Sequence, residues 1–306
     1  MNNRFVKTKF SGHETFPLRY GWLYKGVKYL TLNNELKPGV SELLEKAVVD
    51  LGIGKNMVSS MKYWLEAFRM TETVNGKQEL TCLAKNIFNG SDAWDPYLEN
   101  IGTLWLLHWE LCSQTEPLNS YRWFFNYVSS QSFSKESLLM LAHSSFEDIE
   151  DKPSPKTLEK DIDCLLNSYV SRVNSTKTIT EDSFSCPLQE LGLISQNSSK
   201  SYIAAVEKRP NFPIEVFTYS LVEFWRSSYS SLKTISYEDI LYKPGSPGKV
   251  FRLSVDGLNE MLDGVSLLTQ QKIDWTDTQG LRQIKCEAID ELCSFTILQK
   301  MYQRSV

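Results

Sequence analysis

The sequence predicts a mainly α protein with small β wings, an α+β fold in which tandem winged-helix or helix-turn-helix modules pack on a helical middle region. Three observations predict it. Residues 39–80 hold two amphipathic helical stretches, a glycine turn between them and a hairpin signal after them. Helical apolar spacing fills the middle of the chain. The last third alternates short strands with helices.

In the first module Ser41 can cap a helix whose apolar face is Leu44, Ala47, Val48 and Leu51. Gly52 and Gly54 flank Ile53 and supply the turn. A second helix is expected from about Lys55 to Phe68, with Val58, Met61, Trp64, Leu65 and Phe68 on its inner side. Asn75-Gly76 splits the following stretch into a two-stranded wing. The outer positions Lys55, Asn56, Ser59, Ser60, Lys62 and Tyr63 suit a groove-facing helix. Ammonium groups meet phosphates, and the Asn amide can bond an adenine edge through its donor and its acceptor. A helical hairpin packed only for stability would show the same inner pattern.

Further along, a helix is expected near Thr81–Phe88, then core material in Asp95–Cys112, then continuous helix from Tyr121 to His143 with Ser134 as an internal cap. Ser154-Pro155 opens another helix through Leu158, Ile162, Leu165, Leu166 and Tyr169. Its Glu159, Asp161 and Asp163 are read as outward charges that weaken a second DNA-reading role there. Residues 171–186 read as a Ser/Thr-rich loop. Ser201–Val206 alternates like a strand, Pro213–Trp225 is helical, and Lys249–Leu253 is expected as a strand before Ser254 caps Val255–Leu262. Three parts follow: 1–112, with the N-terminal motif and the first winged helix-turn-helix; 113–200, a helical middle with a candidate second helix-turn-helix; and 201–306, an α+β winged-helix-like domain.

The chain of 306 residues is 42% hydrophobic and carries eight Trp, enough for two or three cores. No apolar run reaches membrane-spanning length, and MNNRFVKTKF lacks the apolar stretch of a signal peptide, so a soluble cytoplasmic protein is expected. The six scattered cysteines form no C-x-x-C pair, which excludes a zinc ribbon or a disulfide scaffold. Net charge is −4, but the first 28 residues carry Arg4, Lys7, Lys9, Arg19, Lys25 and Lys28 against Glu14 alone. Lys7, Lys9 and Lys25 therefore join the candidate DNA contacts, with salt-sensitive affinity.

One motif is not explained by packing periodicity: Lys9-Phe-Ser-Gly-His-Glu-Thr-Phe-Pro-Leu-Arg-Tyr-Gly-Trp22. His13 and Glu14 could act as general base and as metal or phosphate ligand, with Arg19 holding a phosphate. The same residues would suit a structural knot, with His13 bonding a backbone carbonyl and Arg19 pairing Glu14. His108 and Glu110 read as a core histidine and a surface acid. Asp50, Asp95 and Glu99 could collect a metal if the fold brought them together.

This motif, with VVDLGIGKNMVSSMKYWLEAF, LTCLAKNIF and DPYLENIGTLWLLHWEL, resembles the SspB-type nickases of bacterial single-strand DNA phosphorothioation loci. The resemblance is strong over about residues 9–112. It is weaker through SPKTLEKDIDCLLNSYV, Pro187–Ile194 and Ser246–Leu253. It implies a DNA-binding protein of a phage-defence system that nicks one strand of double-stranded DNA. Such a protein would use Mg²⁺ or Mn²⁺ and work beside a cysteine desulfurase, an ATP-pyrophosphatase-like sulfur-transfer protein and an ATPase. In that role His13, Glu14 and Arg19 would be catalytic, and Lys55, Asn56 and Lys62 would dock the duplex. The residues alone leave open a non-catalytic recognition subunit, a transcriptional regulator and a homodimer, and they contain no complete nuclease motif.

Overall fold

Helical apolar spacing sets most of the architecture. The computed structural model describes residues 7–33, 41–114, 116–149, 151–171, 186–278 and 280–303. In chain order the helices are α1 (Trp22–Asn33), α2 (Ser41–Leu51), α3 (Lys55–Ala67), α4 (Cys82–Phe88), α5 (Ile101–Cys112), α6 (Ser120–Tyr127), α7 (Lys135–Ser145), α8 (Pro155–Tyr169), α9 (Ile214–Tyr229), α10 (Tyr237–Tyr242), α11 (Pro247–Val250), α12 (Val255–Leu268) and α13 (Ser294–Gln303). The strands are β1 (Thr71–Val74), β2 (Lys77–Leu80), β3 (Ser132–Phe133), β4 (Ser195–Gln196), β5 (Tyr202–Ile203), β6 (Thr234–Ser236), β7 (Ile273–Thr278) and β8 (Leu281–Cys286). The described chain is mainly helical, with three small antiparallel sheets ordered β1-β2, β3-β5-β4 and β6-β8-β7. Among the described residues no helix is long and apolar enough to cross a membrane.

The chain divides into two compact units. The first comprises Met1–Leu104, Glu116–Ser120 and Ser132–Ile203; the second comprises Trp105–Thr115, Tyr121–Gln131 and Ala204–Val306.

In the first unit α3 packs against α1 and α2, burying Val58, Met61, Trp64, Leu65 and Phe68. The β1–β2 hairpin follows in the register Thr71↔Leu80 to Val74↔Lys77. Asn75 and Gly76 turn it with φ of 52° and 74°, the pair of left-handed residues that a two-residue hairpin requires. Thr81 caps α4 by accepting from the Ala84 amide at 3.2 Å. Ser154 caps α8 by accepting from the Thr157 amide at 3.1 Å, with Pro155 in the first turn. The outward acids of α8 have a packing role, since Lys135 of α7 pairs with Asp163 at 2.7 Å and with Glu159 at 3.5 Å.

In the second unit α9 packs on α12 and α13 beside the β6-β8-β7 sheet, around buried Phe217, Trp225, Ile235 and Ile284. Two buried guanidiniums tie its loops together. Arg252 donates to the carbonyls of Ala204 and Val128 at 3.0 and 3.2 Å, and Arg209 donates to that of Phe251 at 3.1 Å. His108 lies in the aromatic core against Phe125, and its Nε2 donates to the Val250 carbonyl at 2.9 Å.

Several expectations need correction. Tyr121–His143 is not one helix, because β3 interrupts it to pair with β5, whose partner residues lie about seventy positions away in sequence. Phe133 then stacks on Tyr202 at 5.7 Å. Lys249–Leu253 is not a strand. Ser246 caps α11 and Pro247 fills its first turn, so the local signal is that of a helix start. Glu110 is not a surface acid; it is buried and accepts from Tyr219 Oη at 2.9 Å. The strand expected at Ser201–Val206 shortens to β5. The Ser41 cap falls outside the described side chains, and most of the expected loop at 171–186 falls outside the described residues.

Burial is the main influence on His108 and pushes its pKa down to about 3; Arg209 adds to this and the bond to Val250 opposes it. The unfolded chain takes up this proton near pH 6.5, the ordinary value for histidine, while the folded chain does not. Stability is therefore expected to fall as pH drops from about 6.5 toward 3, by up to ~1.4 kcal/mol per pH unit from this group. Urea unfolding across that range checks it. His108→Gln, which keeps a donor for Val250, should flatten the slope, and an unchanged slope would contradict the assignment.

Candidate nucleic-acid interface

The loop that leads into α1 departs from ordinary backbone geometry. Ser11, Glu14 and Thr15 all sit at positive φ, 63°, 49° and 68°, a region that costs a non-glycine residue about 1–2 kcal/mol. Such a loop persists only if something holds it, and Asp161 of α8 does so from 150 residues away. One carboxylate oxygen accepts from the Ser11 amide at 2.9 Å, and the other meets His13 Nε2 at 3.1 Å. His13 Nδ1 in turn accepts from the Thr15 amide at 3.1 Å. Both ring nitrogens are engaged and the ring is fully buried, edge-on to Tyr63 and stacked over Trp64.

Burial has the largest effect on His13 and disfavours its charged form, while hydrogen bonding to Asp161 and Cys164 pulls its pKa upward. The Thr15 amide limits that pull, because it donates to Nδ1 and needs a lone pair there. The hydrogen bonds are those of a neutral ring with its proton on Nε2, facing Asp161.

Helix α3 has two working faces. Its inner face grips the loop: Trp64 Nε1 donates to the Phe16 carbonyl at 3.0 Å, and Ser60 Oγ lies 3.5 Å from the same oxygen. Gly12 lies so close to Tyr63 that a Cβ there would sit 2.4 Å from the ring, so only glycine lets the loop settle on α3. Its outer face carries Lys55 and Asn56, exposed, and Ser59 and Lys62, half-buried. Tyr63 and Ser60 belong to the inner face, which corrects the expectation that they point outward; at helical spacing they fall beside Trp64.

The other predicted residues fall into groups by their contacts. Lys9 and Lys62 both pair with Glu66, Lys62 at 3.7 Å, and Lys9 also lies over the Tyr63 ring at 5.8 Å. Lys7 is exposed on the segment whose backbone pairs with Leu118, and Lys25 is exposed on α1. Glu14 is exposed at the loop tip. Arg19 lies over the rings of Phe16 and Trp22 at 5.5 and 5.6 Å. It shares a cavity of about 500 Å³ with Phe16, Trp22, Ile53, Lys55 and Asn56. The Arg of the N-terminal motif and the first turn of α3 thus meet in one place. Gly54, the residue before that turn, offers its amides no side-chain cap.

His13 is closed to solvent and cannot touch a substrate in this arrangement, which corrects its reading as a reactive base. Asp161, read as an outward charge, is fully buried. A signal for this exists: Asp161 lies three residues after Leu158 and four before Leu165, on the inward stripe of α8. Asp95 is buried and accepts from the amides of Glu99 and Asn100 at 2.8 and 3.1 Å, turning the chain into α5. Among the described residues no three His, Cys, Asp or Glu side chains converge to hold a metal ion.

The family model described as a protein of unknown function, DUF4007, matches residues 10–302, and the chain belongs to this family. It is similar to the magnesium ion-bound SspB crystal structure at 26% identity and a TM-score of 0.83, over 97% of this chain and 89% of that one. It is similar to a second SspB crystal structure at 26% identity and a TM-score of 0.80, over 98% and 89% of the two chains. No curated protein matches the chain.

Removing the Asp161 carboxylate would strand the buried His13 Nε2 donor and release the Ser11 amide. Asp161→Ala is expected to cost about 2–5 kcal/mol in urea unfolding, and Asp161→Asn, which keeps one acceptor, clearly less. A loss for Asp161→Ala within the ~0.5 kcal/mol of an ordinary surface substitution would contradict its role in holding the loop.

Proposed function

We propose that this chain is a DNA-binding protein of a bacterial DNA phosphorothioate-modification and phage-defence system, and that duplex DNA docks on the outer face of α3 and the N-terminal loop. The observation that carries the reading is the meeting of Arg19, Lys55 and Asn56 around one cavity at the first turn of α3. A guanidinium and an ammonium supply phosphate contacts, and an exposed amide two residues into a helix can read a base edge. Likeness to SspB over nearly the whole chain supports the pathway.

The element order α2, glycine turn, α3, β1, β2 supports a winged helix in the first unit. In the second unit the order α9, β6, α10, α11, α12, β7, β8 supports another, with the strand order β6-β8-β7. Its α12 exposes Asp256, Glu260 and Asp263, which repel phosphates, so α3 is the reading helix and α12 is not. Lys62 and Lys9 would leave Glu66 to meet the backbone, and Lys7, Lys25 and Ser59 would extend the contact.

Nicking of one strand is the finer reading that the SspB resemblance favours. With His13 buried, Glu14 at the exposed loop tip would act on a phosphate held by Arg19, and His13 would position the loop. A non-catalytic recognition subunit is the second reading, favoured by the burial of His13 and the absence of a carboxylate cluster among the described residues. In either case the cysteine desulfurase, the sulfur-transfer protein and the ATPase would be its partners.

Fluorescence anisotropy with duplex DNA over a salt series tests the docking face. Lys55→Ala is expected to weaken binding to all sequences and lower the salt slope by about 1, whereas Asn56→Ala should relax sequence preference. Binding by the double variant equal to wild type would sink the α3 assignment. Supercoiled plasmid incubated with Mg²⁺ or Mn²⁺, with EDTA as control, separates the two readings. Open circles that vanish in Glu14→Ala are the nickase result; intact supercoils with a mobility shift are the recognition-subunit result.

A further inference from the structure

We propose that the cavity beside α3 takes one unpaired nucleotide drawn out of the duplex. The inference rests on the DNA-docking reading and names what enters the site. Phosphate contacts alone need only outward donors on a convex face, and α3 already has them in Lys55 and Lys62. Here the chain builds a concavity of about 500 Å³, and its walls include two aromatic rings. That volume falls in the range of small-ligand pockets; it excludes a duplex and admits a nucleoside.

The lining matches the parts of a nucleotide one by one. Phe16 is half-buried and is the ring left to receive a base, while Trp22 is buried and packs against it with centroids 6.4 Å apart and ring planes at 62°. Aromatic faces receive a base by stacking, which is sequence-tolerant because every base has a π-face. The Arg19 guanidinium, 5.5 and 5.6 Å from the two ring centroids, adds a cation beside the same rings and a donor for the phosphate. Lys55, an exposed residue of the lining, can meet the flanking phosphate. Asn56 offers one donor and one acceptor, the pattern that a Watson–Crick edge presents once its partner strand is gone. Ile53 supplies an apolar side without a competing donor.

The site is also rigid where it must be. Phe16 is fixed through its own carbonyl by Trp64 Nε1, and the loop that precedes it is locked by Asp161. A preorganised pocket loses little on filling, so the main opposing term is the unstacking and unpairing of the nucleotide in an intact duplex.

The test uses the full chain and two short duplexes that differ only in one central unpaired nucleotide. The bulged duplex already has its nucleotide out of pairing, so it is expected to bind about tenfold tighter, a difference of ~1.4 kcal/mol. Phe16→Leu keeps an apolar side chain and the carbonyl that holds the loop but removes the stacking face, and should bring the ratio of the two affinities toward one. Equal affinity of the wild type for both duplexes overturns the proposal and leaves DNA docking standing. A ratio unaltered in Phe16→Leu also overturns it, because the bulge is then read elsewhere. Binding to neither duplex removes the DNA reading itself.

Discussion

A single buried carboxylate sets the geometry of the functional face. Asp161 fixes the N-terminal loop through the Ser11 amide and His13 Nε2, and three left-handed residues in that loop are held against their own preference. Buried in an apolar helix face, an unpartnered carboxylate would be expensive, so the contact is obligatory in both directions. The loop needs Asp161 to hold its shape, and Asp161 needs the loop to satisfy its oxygens. From this one constraint follow the placement of Phe16 over α3, the position of Arg19 against its aromatic neighbours, and the cavity they share with Lys55 and Asn56.

Helix α3 converts that constraint into a surface. Val58, Met61, Trp64 and Leu65 anchor it in the core, Ser60, Tyr63 and Trp64 hold the loop, and the remaining third of its circumference faces outward. The charge balance is tempered on that side too. Glu66 engages Lys9 and Lys62 at one end of the helix, while Lys55 and Asn56 stay exposed at the other. A protein of net charge −4 can thus present a local cationic face without being basic overall.

Much of the local structure was legible because its causes are local. The helix caps at Ser134, Ser154 and Ser254, the Asn75-Gly76 turn and the α3 core stripe all follow from residues within one or two turns of each other. The misreadings have non-local causes or rest on a signal weighed wrongly. β3 forms because Tyr202 and Ile203 come to pair with it, which no window around Ser132 reveals. The Ser246-Pro247 start of α11 was there to be read, and its likeness to Ser154-Pro155 was the available clue. At the site, the motif around His13 stood out as unexplained by packing, but its partner did not. Asp161 looks like one more surface acid until its position on the inward stripe of α8 is weighed. The burial of Tyr63 has the same origin, since its place on α3 is decided by a loop some fifty residues earlier in the chain.

The most direct measurement is backbone hydrogen exchange of the full chain with and without duplex DNA. Docking as described here should slow exchange in residues 11–22 and 52–58, where the loop and the first turn of α3 meet, and leave α12 unchanged. DNA binding with no added protection in those two segments, or with protection confined to the second unit, would contradict it.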